Sequence, residues 1–185
     1  MPDESIDCVV TSPPYWALRD YGVDGQLGLE ADFNEFIGKL CSVFDEVRRV
    51  LKQQGTCWVN IGDTYYTKSG TNFKRQSSTM SDDYVERAGL ERANELRGRG
   101  LLPAKSLVQI PARFALEMCR RGWILRNEII WWKPNCMPTN ARDRFTVDFE
   151  KVFLFVKSKR YWFEPQHEPY AAASEIRYRH VLRAN

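Results

Sequence analysis

Thr11-Ser12-Pro13-Pro14-Tyr15-Trp16 brings together a hydroxyl, a stiff stretch of backbone and two aromatic rings, directly after the apolar run Cys8-Val9-Val10. Two prolines in a row cannot donate to a sheet ladder and hold φ near one value, so a strand reaching Thr11 has to stop there. Their carbonyls stay free to accept hydrogen bonds. Ser12 adds a hydroxyl at the carboxyl end of that strand, where open α/β sheets bind their ligands. Tyr15 and Trp16 add flat surfaces just beyond it. Acceptors beside a stacking plate suit a planar base whose exocyclic amine must be gripped. A bland strand-to-loop turn is the alternative that these residues alone leave open.

The elements that must position this turn follow from periodicity. Residues 6–11 read as a short buried strand. Asp32 and Glu35 form a capping-box pair ahead of a helix whose inner face carries Phe33, Phe36, Ile37, Leu40, Val43, Val47, Val50 and Leu51. Gly55 is the expected helix stop, and Thr56 to Ile61 the next strand. Strand, helix, strand of these lengths is a parallel crossover unit. A second helix is expected over about 107–121, regular from Pro111, with Phe114, Ala115, Met118 and Cys119 inward and Gly122 ending it. A long strand over 123–132 stops at Lys133-Pro134, and Phe149–Lys157 is expected to pair with Tyr161-Trp162-Phe163 as an antiparallel hairpin.

The chain has 185 residues, 43% hydrophobic and 28% charged, enough for one domain with a real core. Its net charge of +3 permits nucleic-acid binding without demanding it. No apolar run is long enough to span a bilayer and no signal-peptide pattern is present, so a cytoplasmic protein is expected. Cys8, Cys41, Cys57, Cys119 and Cys136 form no Cys-x-x-Cys pair and are expected to be buried free thiols. With His167 and His180 the only histidines, no metal site is expected. Most of the tryptophans and tyrosines are expected in the core. Between 64 and 105 the chain turns polar and basic, with Lys74, Arg75, Arg87, Arg92, Arg97 and Arg99. That segment is either a solvated insertion or a loop reaching over phosphates. Residues 164–185 read as a linker or the start of a further region.

The opening motif resembles motif IV of the amino-methyltransferases that modify DNA on cytosine N4 or adenine N6, whose signature is Asp, Asn or Ser, then Pro-Pro and an aromatic residue. The similarity continues in order along the chain. Trp16 to Gly22 and Gln26 to Glu30 look like the loop of the Ser-Pro-Pro-Tyr-Trp subgroup. Val47 to Lys52 with Asn60-Ile61-Gly62-Asp63 is similar to motif V, and Arg142 to Thr146 with Phe149 to Phe155 resembles motif VIII. The resemblance implies an α/β, Rossmann-like fold with a mostly parallel sheet and an antiparallel hairpin at one edge. It further implies S-adenosylmethionine as cofactor, DNA as partner, a restriction-modification setting and no metal; a homodimer is compatible with it. The family's glycine-rich cofactor motif, Phe-x-Gly-x-Gly, does not occur here. The chain is therefore expected to be the catalytic half, over 1–163, of an enzyme of the permuted β group. A catalytically silent fragment that binds DNA or supports dimerisation is the alternative.

Carried onto this sequence, the resemblance makes Ser12, Pro13, Pro14 and Tyr15 the catalytic residues and Thr11 a contact to the cofactor. Trp16, Arg19, Lys74, Arg75 and Arg144 become the DNA contacts. Ser at position 12 favours cytosine N4 over adenine N6. Arg144 and Asp148 could equally be surface ion-pair formers, Arg19 and Asp20 a local pair, and Asp63 a cap for the loop after it. Cys136 lacks the Pro-Cys context of a ring-attacking nucleophile and reads as a loop or packing thiol.

Overall fold

A computed structural model describes residues 1–18, 20–30, 32–66 and 102–166. Arg19, the body of the basic insertion with Lys74 and Arg75, and the segment from His167 onward lie outside the described residues. The order is β1 (Ile6–Thr11), α1 (Phe33–Val50), β2 (Leu51–Ile61), α2 (Ile110–Arg120), β3 (Ile124–Trp132) and β4 (Phe149–Val156). The four strands form one mixed sheet in the order β1-β2-β4-β3. β1 and β2 are parallel, with α1 between them in sequence, and β4 pairs antiparallel with both β2 and β3.

Asp32 starts α1 as expected, its side chain accepting from the backbone N–H groups of Asn34 and Glu35. Glu35 turns instead to Lys39, one helical turn on, at 2.9 Å. The helix ends at Val50, and its last carbonyls find partners outside it. Glu4 and Ser5 backbone N–H groups donate to Arg49 and Val50 carbonyls at 3.1 and 2.8 Å. The Lys157 side chain is only 8% exposed, and its ammonium donates to the Arg48 and Leu51 carbonyls and pairs with Glu4. Positive charge at a helix carboxyl end is favourable.

Gly55 is not the helix stop. It lies in β2, where the register jumps from Ile6 opposite Leu51 to Cys8 opposite Thr56. A Cβ at Gly55 would meet Leu51 Cγ at 2.7 Å and the Asp7 carbonyl oxygen at 2.8 Å, so the close approach of β1 and β2 at this bulge requires glycine.

α1 and α2 cover one face of the sheet. Phe36, Leu40 and Phe44 from α1 and Phe114 and Met118 from α2 pack with Cys57, Val59, Ile61, Phe153 and Phe155. Phe114 is the hub, its ring in edge contact with Phe44 and Phe155 at 5.2 and 5.9 Å. Burying one such side chain is worth about 1.5–3 kcal/mol. α2 buries Ile110 and Pro111 along with Phe114, Ala115 and Met118, whereas Cys119 is exposed.

Several expectations change on the other face. β1 is not buried: it is an edge of the described sheet, Cys8 is exposed and Val10 is 78% exposed. Only Cys41 and Cys57 are buried thiols, and burial pushes both up to about 12. Among the tryptophans, Trp16 and Trp123 are buried, while Trp131, Trp132 and Trp162 are exposed. The hairpin at the sheet edge is β3 with β4. Residues 161–163 do not pair with β4; Trp162 donates its backbone N–H to the Gln54 carbonyl and Tyr161 stacks under Arg126. The expected polar insertion begins later than 64, because Tyr66 is buried and exchanges backbone hydrogen bonds with Lys105 and Ser106.

Candidate active site

Because β1 and β2 are parallel and adjacent, their carboxyl ends bring the turn after Thr11 beside Asn60, Ile61 and Gly62. Antiparallel β4 starts at the same end, with Asn60 opposite Val152 and Ile61 opposite Lys151. The alternation along β4 sends Phe153 and Phe155 into the helical core and Glu150 to the opposite face, the one carrying Asn60.

Ser12 is exposed and its hydroxyl lies 3.4 Å from Asn60 Oδ1. Tyr15 is half-buried, with its hydroxyl 3.1 Å from Asn60 Oδ1 and 3.1 Å from Glu150 Oε2. Asn60 Nδ2 donates to the Lys151 carbonyl at 3.3 Å, which fixes the amide with its oxygen toward the two hydroxyls. Lys133, just past β3, forms an ion pair with Glu150 Oε1 and sits 5.3 Å from the centre of the Trp131 ring. Pro13 and Pro14 hold the backbone between Ser12 and Tyr15.

Gly62 makes room for this arrangement. A Cβ there would fall 2.5 Å from Tyr15 Cε2 and 3.0 Å from Cδ2, so the ring rests directly on the β2 backbone. Gly28, with φ of 101°, lies under the Tyr15 carbonyl, where a Cβ would come within 2.9 Å. The loop that returns to Gly28 is pinned by Trp16. Its indole is 1% exposed, donates to the Glu30 carbonyl at 3.2 Å and meets Phe33 edge-on at 5.8 Å. Trp16 is thus no exposed plate for DNA. It is a core plug joining the motif to the first turn of α1, and Tyr15 alone faces the site.

Asp63 closes the other side. Its Oδ1 accepts from the Thr64 backbone N–H at 2.9 Å and from that of Ile110 at 3.0 Å. It therefore caps its own loop, as expected, and also the start of α2, whose Gln109 N-cap residue has φ of 65° and gives no side-chain cap. Burial raises the Asp63 carboxyl above its ordinary value although those N–H groups pull the other way. Glu150 shifts oppositely. Burial would raise it, but hydrogen bonds from Lys133 and Asn60, with the Lys133 charge, hold it below the usual carboxylate range. Burial raises Tyr15 above the ordinary phenol value and the Glu150 charge adds to the rise, against hydrogen bonds from Ser12 and the Gly62 backbone that pull it down.

A cavity of about 580 Å³ opens between these groups, lined by Tyr15, Gly62, Asp63, Tyr65, Lys133 and Glu150 among others. At its rim the Arg144 guanidinium lies 3.8 Å from the centre of the Tyr65 ring and donates to Thr139 Oγ1. Asp148 is occupied locally, accepting from the Trp132 indole N–H. A larger cavity of about 730 Å³ lies toward the start of β1 and β2, between the Gly55 bulge, Trp58 and Trp162. It has polar groups of its own, the Thr56 hydroxyl, the Gln53 and Gln54 amides and the Lys52–Asp7 ion pair, but it lies at the other end of the strands from the diproline turn. The smaller cavity, beside Tyr15 and Gly62 at the carboxyl ends of β1 and β2, is the candidate site.

Sequence reasoning matched Asn60 and Gly62 to motif V and Phe149 to Phe155 to motif VIII but gave no role to Glu150, Lys133 or Gly62. The available signals were an acidic residue in an otherwise apolar strand, Phe149 to Val156, and a glycine directly after Ile61.

A hydroxyl, a diproline turn and an aromatic ring gathered where parallel strands end make a candidate strand-end site on an α/β fold. Comparison with known proteins narrows that class. A family model described as DNA methylase, N6_N4_Mtase, matches residues 6–183, and the chain belongs to that family. It is 42% identical over 164 residues to the Type II methyltransferase M.Cfr9I of Citrobacter freundii, covering 89% of this chain and 52% of that protein. It is 45% identical over 161 residues to the Type II methyltransferase M.SmaI of Serratia marcescens, covering 87% and 52%. The chain thus spans about half the length of these relatives. The fold resembles that of PvuII DNA methyltransferase (cytosine-N4-specific), with a TM-score of 0.54 at 20% identity over 87% of this chain and 45% of that one. A putative DNA modification methylase of Thermus thermophilus, solved in complex with S-adenosyl-L-methionine, has a TM-score of 0.55 at 22% identity, over 90% and 51%.

Proposed function

We propose that this chain carries the target-amine side of a DNA methyltransferase. The reaction moves a methyl group from S-adenosylmethionine to the exocyclic amine of a base flipped out of the duplex, with cytosine N4 favoured and adenine N6 the alternative; the methyl–sulfur bond breaks to leave S-adenosylhomocysteine, and the methylated nitrogen sheds one of its protons to solvent. The observation that carries this reading is the hydrogen-bonded set Ser12, Asn60, Tyr15 and Glu150 beside the cavity. The target amine is a poor nucleophile because its lone pair is delocalised into the ring. Ser12 Oγ and the Pro13 carbonyl accept its two hydrogens, draw the nitrogen toward a tetrahedral form and localise that lone pair. Tyr15 stacks on the extruded base. Catalysis is then mainly positioning. Arg144, at the rim, is placed to meet a phosphate or a base.

The methyl donor, when bound, supplies an electrophilic methyl group on a sulfonium. Exposed Ser12 and half-buried Thr11 leave room for its reactive end at the open end of β1, and the Thr11 hydroxyl is the candidate contact to its amino-acid part. Among the described residues no glycine-rich strand-to-helix turn is present to cradle the adenosine, so only the reactive end is assigned.

The test is transfer of labelled methyl groups to unmethylated genomic DNA, followed by nucleoside analysis. N4-methylcytosine is the expected product; N6-methyladenine would support the alternative. Replacing Ser12 by Ala should reduce transfer about a hundredfold with an unchanged circular dichroism spectrum. Full activity in that variant would refute the assigned role.

A further inference from the structure

The Tyr15 hydroxyl stands between two hydrogen-bond acceptors. The phenol has one proton and two acceptors at the same distance, Asn60 Oδ1 and Glu150 Oε2, each at 3.1 Å. A carboxylate is the stronger acceptor, because the hydrogen bond is then charge-assisted. With the phenolic proton on Glu150, Asn60 Oδ1 is left to the Ser12 hydroxyl at 3.4 Å. The amide cannot turn round to offer its nitrogen instead, since Nδ2 is held by the Lys151 carbonyl. The orientation of Ser12 matters because a hydroxyl is both donor and acceptor. A Ser12 proton pointing at the target amine would oppose the amine's own hydrogens; one sent to Asn60 leaves the Oγ lone pairs for them.

The geometry points to Glu150, paired with Lys133, as a positioning residue: it takes the Tyr15 proton, so that Asn60 takes the Ser12 proton and Ser12 faces the target amine as an acceptor. This rests on the function proposed above and adds to it Glu150, Asn60 and Lys133, which act through Tyr15 and Ser12. Each element packed on Glu150 supplies one partner: Tyr15 from the turn after β1, Asn60 from β2 and Lys133 from the end of β3. Asp63, Arg144 and Lys151 line the same cavity. Lys151 is engaged by Glu128.

The experiment is a double-mutant cycle on the protein carrying this chain, with Tyr15→Phe, Glu150→Gln and both together. Glu150→Gln should lower kcat about tenfold with little change in KM for S-adenosylmethionine, because the phenol then donates to Asn60 in place of Ser12; in a Tyr15→Phe background, where no phenolic proton competes, the same change should cost nothing further. Losses that multiply would overturn the inference. Two further readouts separate positioning from mere support. In 13Cζ-tyrosine spectra, with Tyr15→Phe assigning the resonance, the Tyr15 phenol should titrate above the ordinary value and move part of the way down in Glu150→Gln. An unmoved phenol overturns the inference without reference to activity. Lys133→Met should shift the acid limb of the kcat profile to higher pH, because Glu150 loses the partner that keeps it ionised; an unshifted limb counts against it. Absence of methyl transfer by the wild-type protein would sink the functional reading and this inference together. Transfer by the wild type with multiplying losses would sink the inference alone.

Discussion

Two carboxylates face each other across the same cavity, and they are employed in opposite ways. Asp63 spends its oxygen on main-chain N–H groups, closing its own loop and starting α2. Glu150 is held by side chains, those of Tyr15, Asn60 and Lys133, each from a separate element. One wall is therefore architecture that happens to border a site, and the other is a set of polar contacts with no architectural duty. The pKa directions follow: burial wins at Asp63, and the Lys133 and Asn60 contacts win at Glu150. A carboxylate in a cleft is informative about chemistry only once its partners are known.

The contrast can be broken by substitution. Asp63→Ala leaves the Ile110 and Thr64 N–H groups without their acceptor and should cost about 2 kcal/mol in urea unfolding. If Glu150→Ala proved the more destabilising of the two, the division of labour would be wrong. Gly62 joins the walls, and Gly62→Ala puts a methyl group into the Tyr15 ring. About 1–2 kcal/mol of stability should go, with a loss of methyl transfer that Asp63→Asn does not share. Glu150→Gln should change stability by less than about 1 kcal/mol, since the ion pair it breaks is partly solvated.

The smallest expected effect is in the pH dependence of stability. A carboxyl raised by folding contributes stability at low pH that fades as pH climbs through its folded value; a lowered one contributes stability that is lost as pH falls through its folded value. Asp63→Asn should therefore steepen the rise of stability just above the ordinary aspartate value, and Glu150→Gln should flatten it just below the ordinary glutamate value. Asp63 is exposed as a residue, so solvent blunts its share. Parallel changes in the two variants would show that the walls do not differ.

Much of the fold was legible because it rests on local periodicity. The 3.6-residue pattern from Phe33 located α1, Pro111 and Gly122 bracketed α2, and apolar runs marked every strand. Pairings were less visible. Residues 161–163 look as strand-like as 124–132, and only tertiary packing decides which lies against β4. Gly55 was read as a helix stop because a glycine required by a bulge leaves the same mark in sequence as one that ends a helix. At the site, the diproline turn announced Ser12 and Tyr15, since Pro-Pro stiffens the chain in a way that sequence states outright. It did not announce that Trp16 turns inward while Tyr15 stays out. Two adjacent aromatic residues carry no directional label until the loop between Ala17 and Gly28 closes on itself through a 2.7 Å hydrogen bond. Glu150 and Lys133 come from strands far from the motif, and only the β4 register brings them to it.

Lys157 has a practical consequence. Its ammonium is withdrawn from solvent into the carbonyls that end α1, while Lys105, at 81% side-chain exposure, stands in the open. Amine-reactive acylating reagents should mark Lys105 quickly and pass Lys157 by while that corner is closed. The ratio of the two labels, read by mass spectrometry, makes the pair an internal gauge of whether β4 is still seated against the end of α1.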